Sequence, residues 1–131
     1  MRNSQARSLQ QLVIRLLPGC WSRKTSYQPS RWSADNPAAG QCAVTALLIQ
    51  ELLGGRIVYG ELNGFEHYWN YLPAEEELDL TRQQYGMPYT VRLLGNASRF
   101  ALLSDPNTLR RYENLVDSFL ARTRHGQKAR N

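Results

Sequence analysis

The hydrophobic pattern of the chain predicts three helices. Residues 42–53 are apolar on nearly all sides, which is typical of a buried helix. Apolar residues recur at three- and four-residue spacing from Ser4 or Ser8 to Leu17 and again over 109–120, so both stretches predict amphipathic helices. Residues 99–103 are weakly periodic and fit a further turn of helix. One buried helix would therefore be flanked by two amphipathic ones.

Between these helices the pattern changes to that of strands. Residues 56–62 have strand composition, and Asn63-Gly64 after them is the strongest short hairpin signal. Residues 65–72 form the next predicted strand and 77–80 a third, with a polar turn between them. The sequence therefore predicts an α+β fold, in which a buried central helix packs on a small antiparallel sheet between N- and C-terminal helices.

Residues 18–40 lack periodicity and contain several Pro, Gly and small polar residues. A loop this long in a compact domain is usually functional or disordered. Trp21, Tyr27 and Trp32 argue against disorder, because disordered segments contain few aromatic residues. We therefore expect an ordered but irregular segment.

Length and composition limit the class of protein. At 131 residues and 42% hydrophobic content, residues 1–131 fit a single domain, with a disordered basic tail over 123–131. Two cysteines are too few for the disulfide framework of a small secreted protein, and the N-terminus lacks the pattern of a secretory signal. No apolar stretch approaches the roughly 20 residues that a membrane span needs. These features favour a cytoplasmic protein without a membrane partner.

The net charge of +5 raises the question of nucleic-acid binding, and its distribution argues against it. Residues 1–33 carry six basic and no acidic side chains, and residues 110–131 carry six against two. Residues 34–109 carry four basic and nine acidic side chains, a net charge of −5. The sequence contains no phosphate loop, zinc-ligand spacing or RNA-binding aromatic motif. Basic ends can attract polyanions weakly, but we expect no specific nucleic-acid partner.

Gly40-Gln41-Cys42 precedes the predicted buried helix and places a thiol at its start. A nucleophilic cysteine reacts as the thiolate, which the positive end of a helix dipole and a nearby imidazolium both favour. Free backbone N–H groups at the helix start could also bind the oxyanion of a tetrahedral intermediate, with Gln41, Trp32 or Trp21 as a further donor. Cys42 is therefore the candidate nucleophile; the alternative is a small buried hydrophobe, as most free cysteines are.

His67 and Asp79 are the candidate partners of this thiol. His125 lies in the predicted tail, so an imidazole base would have to be His67. A turn near residues 73–74 places His67 opposite Asp79 or one diagonal step away. Asp79 lies between two leucines and needs a hydrogen-bonding partner, which the imidazole would provide. The alternatives are a structural histidine and an acid that caps a turn.

Asn70 is the rival third member, but its odd offset from His67 points it to the opposite face of a regular strand. Trp69 shares the face of His67 and is expected to wall the site or to pack against the helix. Cys42, His67 and Asp79 could ligate zinc in principle, but a zinc site needs three or four ligands and no fourth strong candidate stands near. We therefore predict no metal and no cofactor.

At these residues the chain resembles two groups of proteins. The Gly-Gln-Cys, His-x-Trp-Asn and Asp-x-Thr motifs look like the core pattern of transglutaminase-like proteins, which belong to the papain-like cysteine superfamily. The stretch from about Thr25 to Gln84 resembles more closely the YunG-like family of small bacterial proteins. The motifs that carry this likeness are Thr25-Ser26-Tyr27, Trp32, Gly40-Gln41-Cys42-Ala43-Val44-Thr45-Ala46, His67-Tyr68-Trp69-Asn70, Asp79-Leu80-Thr81 and Arg111-Tyr112-x-x-Leu115.

The resemblance implies a papain-like or transglutaminase-like core, with Cys42 as nucleophile, His67 as base and Asp79 as orienting acid. Ala43 follows the cysteine where animal transglutaminases have Trp. The calcium-binding and β-sandwich regions of those large enzymes are missing too. Protein crosslinking and calcium dependence are therefore not implied.

We expect a cysteine-dependent acyl-transfer or amide-hydrolysing enzyme that forms an acyl-enzyme from a peptide, amide or thioester substrate. The predicted oxyanion or substrate-binding residues are Gln41, Trp32, Trp69 and Asn70. The alternative is a non-catalytic binding module on the same fold, which uses the aromatic segment 18–40 to recognise a partner. A third possibility is a partner protein of the toxin–antitoxin or phage-associated kind, which the basic ends would fit.

Overall fold

The computed structural model describes residues 2–130, with the side chains of residues 4–125. Its helices are α1 (Arg2–Leu16), α2 (Cys42–Leu53), α3 (Arg99–Leu103) and α4 (Pro106–Arg130), with 3₁₀ turns at Leu17–Cys20, Pro29–Arg31 and Arg82–Gln84. The helices predicted over 42–53 and 99–103 are confirmed with the same bounds. Within the described chain, no helix is both long and apolar enough to cross a membrane.

The strands form one antiparallel sheet of four. They are β1 (Arg56–Leu62), β2 (Phe65–Tyr71), β3 (Glu77–Leu78) and β4 (Val91–Ala97), in the spatial order β3-β2-β1-β4. Asn63 and Gly64 join β1 to β2, with φ angles of 52° and 82°. Two positive φ angles are what a tight type I′ hairpin turn requires, and Asn-Gly adopts them readily. The α+β class and the hairpin are therefore confirmed.

The central helix α2 packs between the sheet and the other long helices. All six residues from Val44 to Ile49 are buried. One core cluster joins α2 to α1 and α4, and a smaller one joins α2 to Ile57 of β1. A helix that is apolar around most of its circumference is stable only when it is covered on several sides. The prediction of a buried central helix is confirmed.

Strand β4 is not among the strands predicted from the sequence. Its residues from Val91 to Leu94 are exposed, so no alternation of apolar and polar positions marks it. It pairs with β1 out of chain order, and the register shifts between Tyr59 and Gly60. The carbonyl of Arg92 approaches Gly60 so closely that a Cβ there would collide with it. Strand β4 can pair with β1 only because glycine at position 60 lets the two backbones approach closely. A local sequence pattern does not reveal such a contact between distant residues.

Several boundaries differ from the prediction. α1 ends at Leu16 and β2 at Tyr71, each one residue earlier than predicted, and three further ends differ as follows. α1 begins at Arg2, earlier than expected, and β3 ends at Leu78 instead of residue 80. α4 continues through Arg130, whereas the sequence predicted a disordered tail over 123–131. Ala, Arg, Gln and Lys in this stretch all favour helix, which accounts for the continuation. Asn131 and the side chains beyond His125 lie outside the described residues.

Candidate active site

Cys42 is the first residue of α2, and it is partly exposed. Gly40, two residues earlier, has a φ of +73°. A Cβ at Gly40 would lie 2.8 Å from the backbone nitrogen of Tyr27 and closer still to Ser26 Oγ. Only glycine therefore lets the loop pass this close to its neighbour before the helix begins. The thiol consequently lies at the positive end of the helix dipole, beside backbone N–H groups that have no intrahelical partner.

The side chains of His67 and Asp79 form a short, buried contact. His67 Nε2 lies 2.7 Å from Asp79 Oδ2, and both side chains are almost fully buried. β3 pairs Leu78 with Asn70, so one further step of this register places Asp79 across from Trp69 and diagonal to His67. The sequence predicted that these two residues lie opposite each other or one diagonal step apart, and the structure has the diagonal arrangement.

Asp79 is held by the turn that follows it. The backbone N–H and the hydroxyl of Thr81 donate to Oδ1 at 3.1 and 3.3 Å. Arg82 Nε donates to Oδ2 at 3.1 Å. These donors orient the carboxylate and compensate its buried charge. Arg82 is not among the residues predicted for the site. The sequence signal for it was a basic residue three positions after the candidate acid.

Two aromatic rings fix the plane of the His67 imidazole. Trp69 is stacked against it with centroids 5.6 Å apart and an interplanar angle of 23°. Tyr85 meets it edge-on with centroids 5.7 Å apart. Because Nε2 faces Asp79, the other ring nitrogen, Nδ1, is the one left for a thiol. Nδ1 forms no regular hydrogen bond to any residue that the structure describes.

The pKa of His67 is raised to about 9. Burial is the largest influence and lowers it, but hydrogen bonding and attraction to Asp79 and Cys42 together outweigh burial. Since Nδ1 lacks a hydrogen bond of regular geometry, we interpret the contribution of Cys42 as a close approach of thiol and ring. Burial, followed by the charges of Cys42 and Asp79, also raises the pKa of Tyr85 to about 12. Cys42 therefore acts electrostatically on both rings.

The side chains of Gln41 and Trp32 hold the loop that precedes α2. Gln41 is fully buried; its Oε1 accepts from Thr25 Oγ1 at 2.7 Å, and its Nε2 donates to the carbonyl of Ser22 at 3.0 Å. The indole N–H of Trp32 donates to the carbonyl of Pro37 at 2.9 Å. Their predicted oxyanion or substrate-binding roles stay predictions. The backbone N–H groups at the start of α2 are the simpler source of an oxyanion site.

Trp69 and Asn70 serve opposite faces of β2, as strand alternation predicts. The Trp69 ring stacks on His67, and its indole N–H donates to Glu77 at 3.1 Å. Asn70 is buried, and its Nδ2 donates to the carbonyl of Ala46 in α2 at 3.0 Å. Trp69 thus walls the candidate site, whereas the side chain of Asn70 fastens the sheet to the helix.

The aromatic residues of the 18–40 segment differ in exposure. Trp21 is buried, and its indole N–H donates to Thr45 Oγ1 of α2 at 2.9 Å. Tyr27 is 69% exposed, and Trp32 is half-buried. Trp21 therefore belongs to the core, and a recognition surface on this segment would depend on Tyr27 and the exposed part of Trp32.

A cavity of about 430 Å³ adjoins the site between the sheet and the helices α3 and α4. His67 and Tyr68 contribute to its lining from β2, Leu102 from α3 and Thr108 from α4. This volume lies in the range of small-molecule sites. Among the described residues, no three His, Cys, Asp or Glu side chains are grouped as a metal site would require.

Comparison with known proteins places the chain in a family. The family model described as YunG protein matches residues 9–124. The protein named "Uncharacterized protein YunG" from Bacillus subtilis (strain 168) is 32% identical over 104 residues, which cover 79% of this chain and 85% of that relative. No solved structure matches the chain, and neither match adds support for the transglutaminase-like part of the resemblance. The chain belongs to the YunG family.

Proposed function

We propose that this protein is a cysteine-dependent enzyme that transfers or hydrolyses an acyl group. Cys42 is the nucleophile, His67 the general base and acid, and Asp79 the residue that orients the imidazole. The substrate is a peptide, another amide or a thioester, and no cofactor or metal is needed for this chemistry. The core would then be of the transglutaminase-like or papain-like kind, in a cytoplasmic protein.

In the first half of the reaction, the thiol proton of Cys42 passes to His67, whose raised pKa favours the imidazolium, and the sulfur then attacks the carbonyl carbon of the substrate. The tetrahedral intermediate carries its negative charge on oxygen, where backbone N–H groups at the start of α2 can donate to it. The carbon–nitrogen or carbon–sulfur bond then breaks. His67 gives its proton to the leaving amine or thiol, which leaves a thioester on Cys42.

In the second half, water or an amine attacks the thioester. His67 removes a proton from the attacking group, and the sulfur of Cys42 leaves and is reprotonated. Asp79 accepts a hydrogen bond from the ring and stabilises the imidazolium that forms twice in each cycle. The cavity beside His67 is a suitable place for the part of the substrate next to the acyl carbon.

The observation that carries the proposal is that the two nitrogens of the His67 ring have different surroundings. Nε2 faces the buried carboxylate of Asp79 at 2.7 Å, and Nδ1 has no hydrogen-bond partner of regular geometry among the described residues. A merely structural histidine would be expected to satisfy both nitrogens in a buried position. An unpaired nitrogen near a thiol is instead suited to accept and return its proton.

The test compares the alkylation rates of the two cysteines by iodoacetamide, measured by peptide mass spectrometry from pH 6 to pH 10. We expect Cys42 to react much faster than Cys20 at the acidic end. His67→Gln should slow Cys42 at that end by on the order of a hundredfold, because the imidazole no longer assists thiolate formation. His125→Gln is the matched control, since it removes the other histidine, which is exposed on α4.

Equal, slow alkylation of Cys42 in the wild type and in His67→Gln would contradict the proposal. The binding module would then be the better hypothesis, with Tyr27 as its most exposed aromatic residue.

A further inference from the structure

Arg111, in the second turn of α4, is a buried cation. The residue is only 5% exposed, and a guanidinium keeps its charge in proteins. All of its hydrogen bonds go to neutral oxygens: Nε donates to Asn107 Oδ1 at 2.8 Å, Nη2 to Thr108 Oγ1 at 3.3 Å, and Nη1 to the carbonyl of Thr25 at 3.4 Å. Among the described residues, no carboxylate forms an ion pair with it. A buried charge of this kind is costly unless another charge compensates it.

Two hydrogen bonds connect Arg111 to the residue before the candidate nucleophile. Thr25 accepts from Arg111 through its carbonyl and donates through its hydroxyl to Gln41 Oε1 at 2.7 Å. Gln41 occupies the N-cap of α2, directly before Cys42. Thr25 and Gln41 are both fully buried, so water does not compete for these bonds. The start of α4 is thereby tied to the start of α2.

Tyr27 forms a second connection between the same elements. The Arg111 guanidinium lies 5.4 Å from the centre of the Tyr27 ring, within cation–π distance. The backbone N–H of Tyr27 donates to the carbonyl of Gly40 at 2.8 Å. Arg111 therefore contacts both loop residues that hold the Gly-Gln-Cys turn.

The charge of Arg111 also acts on the thiol. Burial is the largest influence on the pKa of Arg111 and lowers it, while attraction to Cys42 and to Asp105 raises it. Arg111 and Cys42 are thus near enough to attract each other when the sulfur is anionic, as the positioning role requires.

We propose that Arg111 is a positioning residue of the active site, which holds the Thr25–Gln41 connection and favours the thiolate of Cys42 as a fixed buried charge. The inference rests on the proposed function, since it requires Cys42 to be the nucleophile. Two positive groups would then act on the sulfur: His67 from the sheet and Arg111 from α4.

The test measures alkylation of Cys42 against pH in Arg111→Lys, Arg111→Gln and Arg111→Ala. We expect Arg111→Gln to slow the reaction at pH 6 about tenfold and to leave the rate at pH 10 nearly unchanged, because only thiolate formation is affected. Arg111→Lys keeps the charge and should retain most of the rate at pH 6. Arg110→Gln removes the neighbouring, exposed arginine and is the matched control.

Chemical rescue separates the charge from the shape of the side chain. Added guanidinium at tens of millimolar should restore the pH 6 rate of Arg111→Ala, because the ion can fill the space that the side chain leaves. Urea, which has nearly the same shape and no charge, should not restore it. Native-state alkylation of buried Cys20 serves as a monitor of unfolding in every variant.

The inference is overturned if Arg111→Gln and Arg111→Lys lose the same activity at all pH values, or if urea rescues Arg111→Ala as well as guanidinium does. Either result would assign Arg111 a structural role alone. A wild-type Cys42 that reacts slowly and independently of His67 would instead contradict the proposed function itself. The two failures are therefore distinguishable.

Discussion

The two cysteines of this chain occupy contrasting surroundings. Cys20 lies in the 3₁₀ turn after α1, where it is 5% exposed and its thiol donates to the carbonyl of Leu16 at 3.5 Å. Cys42 lies at the start of α2, partly exposed, where it approaches the ring of His67. The same side chain is thus packed as an apolar group in one place and set among polar and charged groups in the other.

Cys20 illustrates that a nearby cation alone does not lower the pKa of a thiol below its ordinary value. Burial raises the pKa of Cys20, and the attraction of Arg122, which lowers it, does not compensate. Cys42 has in addition a helix start and an imidazole whose far nitrogen faces a buried carboxylate. Partial exposure and several converging groups, not charge alone, distinguish the candidate nucleophile.

The largest expected difference between the two cysteine environments is in how the free energy of unfolding depends on pH. Because the pKa of His67 is raised from 6.5 to about 9, the imidazolium stabilises the folded state. This stabilisation is fully present below about pH 6.5 and is lost as the pH rises to about 9, in total about 3 kcal/mol. Burial raises the pKa of Cys20 from 9.0. The Cys20 thiol therefore lowers the free energy of unfolding only when the pH rises above about 9.

Urea unfolding at a series of pH values would separate the two contributions. We expect His67→Gln to flatten the decline between pH 6.5 and 9, and Cys20→Ala to flatten only the decline above pH 9. A wild-type free energy of unfolding that stays constant from pH 6.5 to 9 would contradict the raised pKa of His67.

Asp79 is expected to have the next largest effect. Asp79→Ala removes the acceptor of His67 Nε2 and should lower the pH 7 alkylation rate of Cys42 by about thirtyfold, corresponding to roughly 2 kcal/mol. Asp79→Asn keeps an oxygen that can accept from the ring and should retain more of the rate, since Cys-His-Asn arrangements also work. The alkylation rate of Cys20 should be the same in both variants; equal rates for the two variants at Cys42 would exclude an orienting role for Asp79.

Gly40 is the third residue that tests this comparison. Gly40→Ala forces a Cβ against Ser26 and Tyr27 at a positive φ, so it should destabilise the fold by about 1–3 kcal/mol. The displaced loop should reduce the reactivity of Cys42 more than that of Cys20. Gly86→Ala, where a Cβ meets no atom within 4 Å, is the matched control for thermal unfolding and alkylation.

Much of the fold follows from local pattern in this chain. The bounds of α2 and β1, the Asn-Gly hairpin and the proximity of His67 to Asp79 were all predicted. Each rests on a periodicity or a turn preference that acts over a few residues. Strand β4 was not predicted, because it pairs with β1 residues that lie 29 to 40 positions earlier in the chain and its side chains are largely exposed.

The sequence by itself determined the types of chemical group and their order: a thiol at a helix start, then an imidazole on a strand and a carboxylate directly after the next strand. Only the tertiary structure decided what surrounds them. Tyr85 meets His67, and Arg111 reaches the N-cap of α2 through Thr25. These contacts join segments that no local period relates. Packing brought them together, and packing depends on the whole chain.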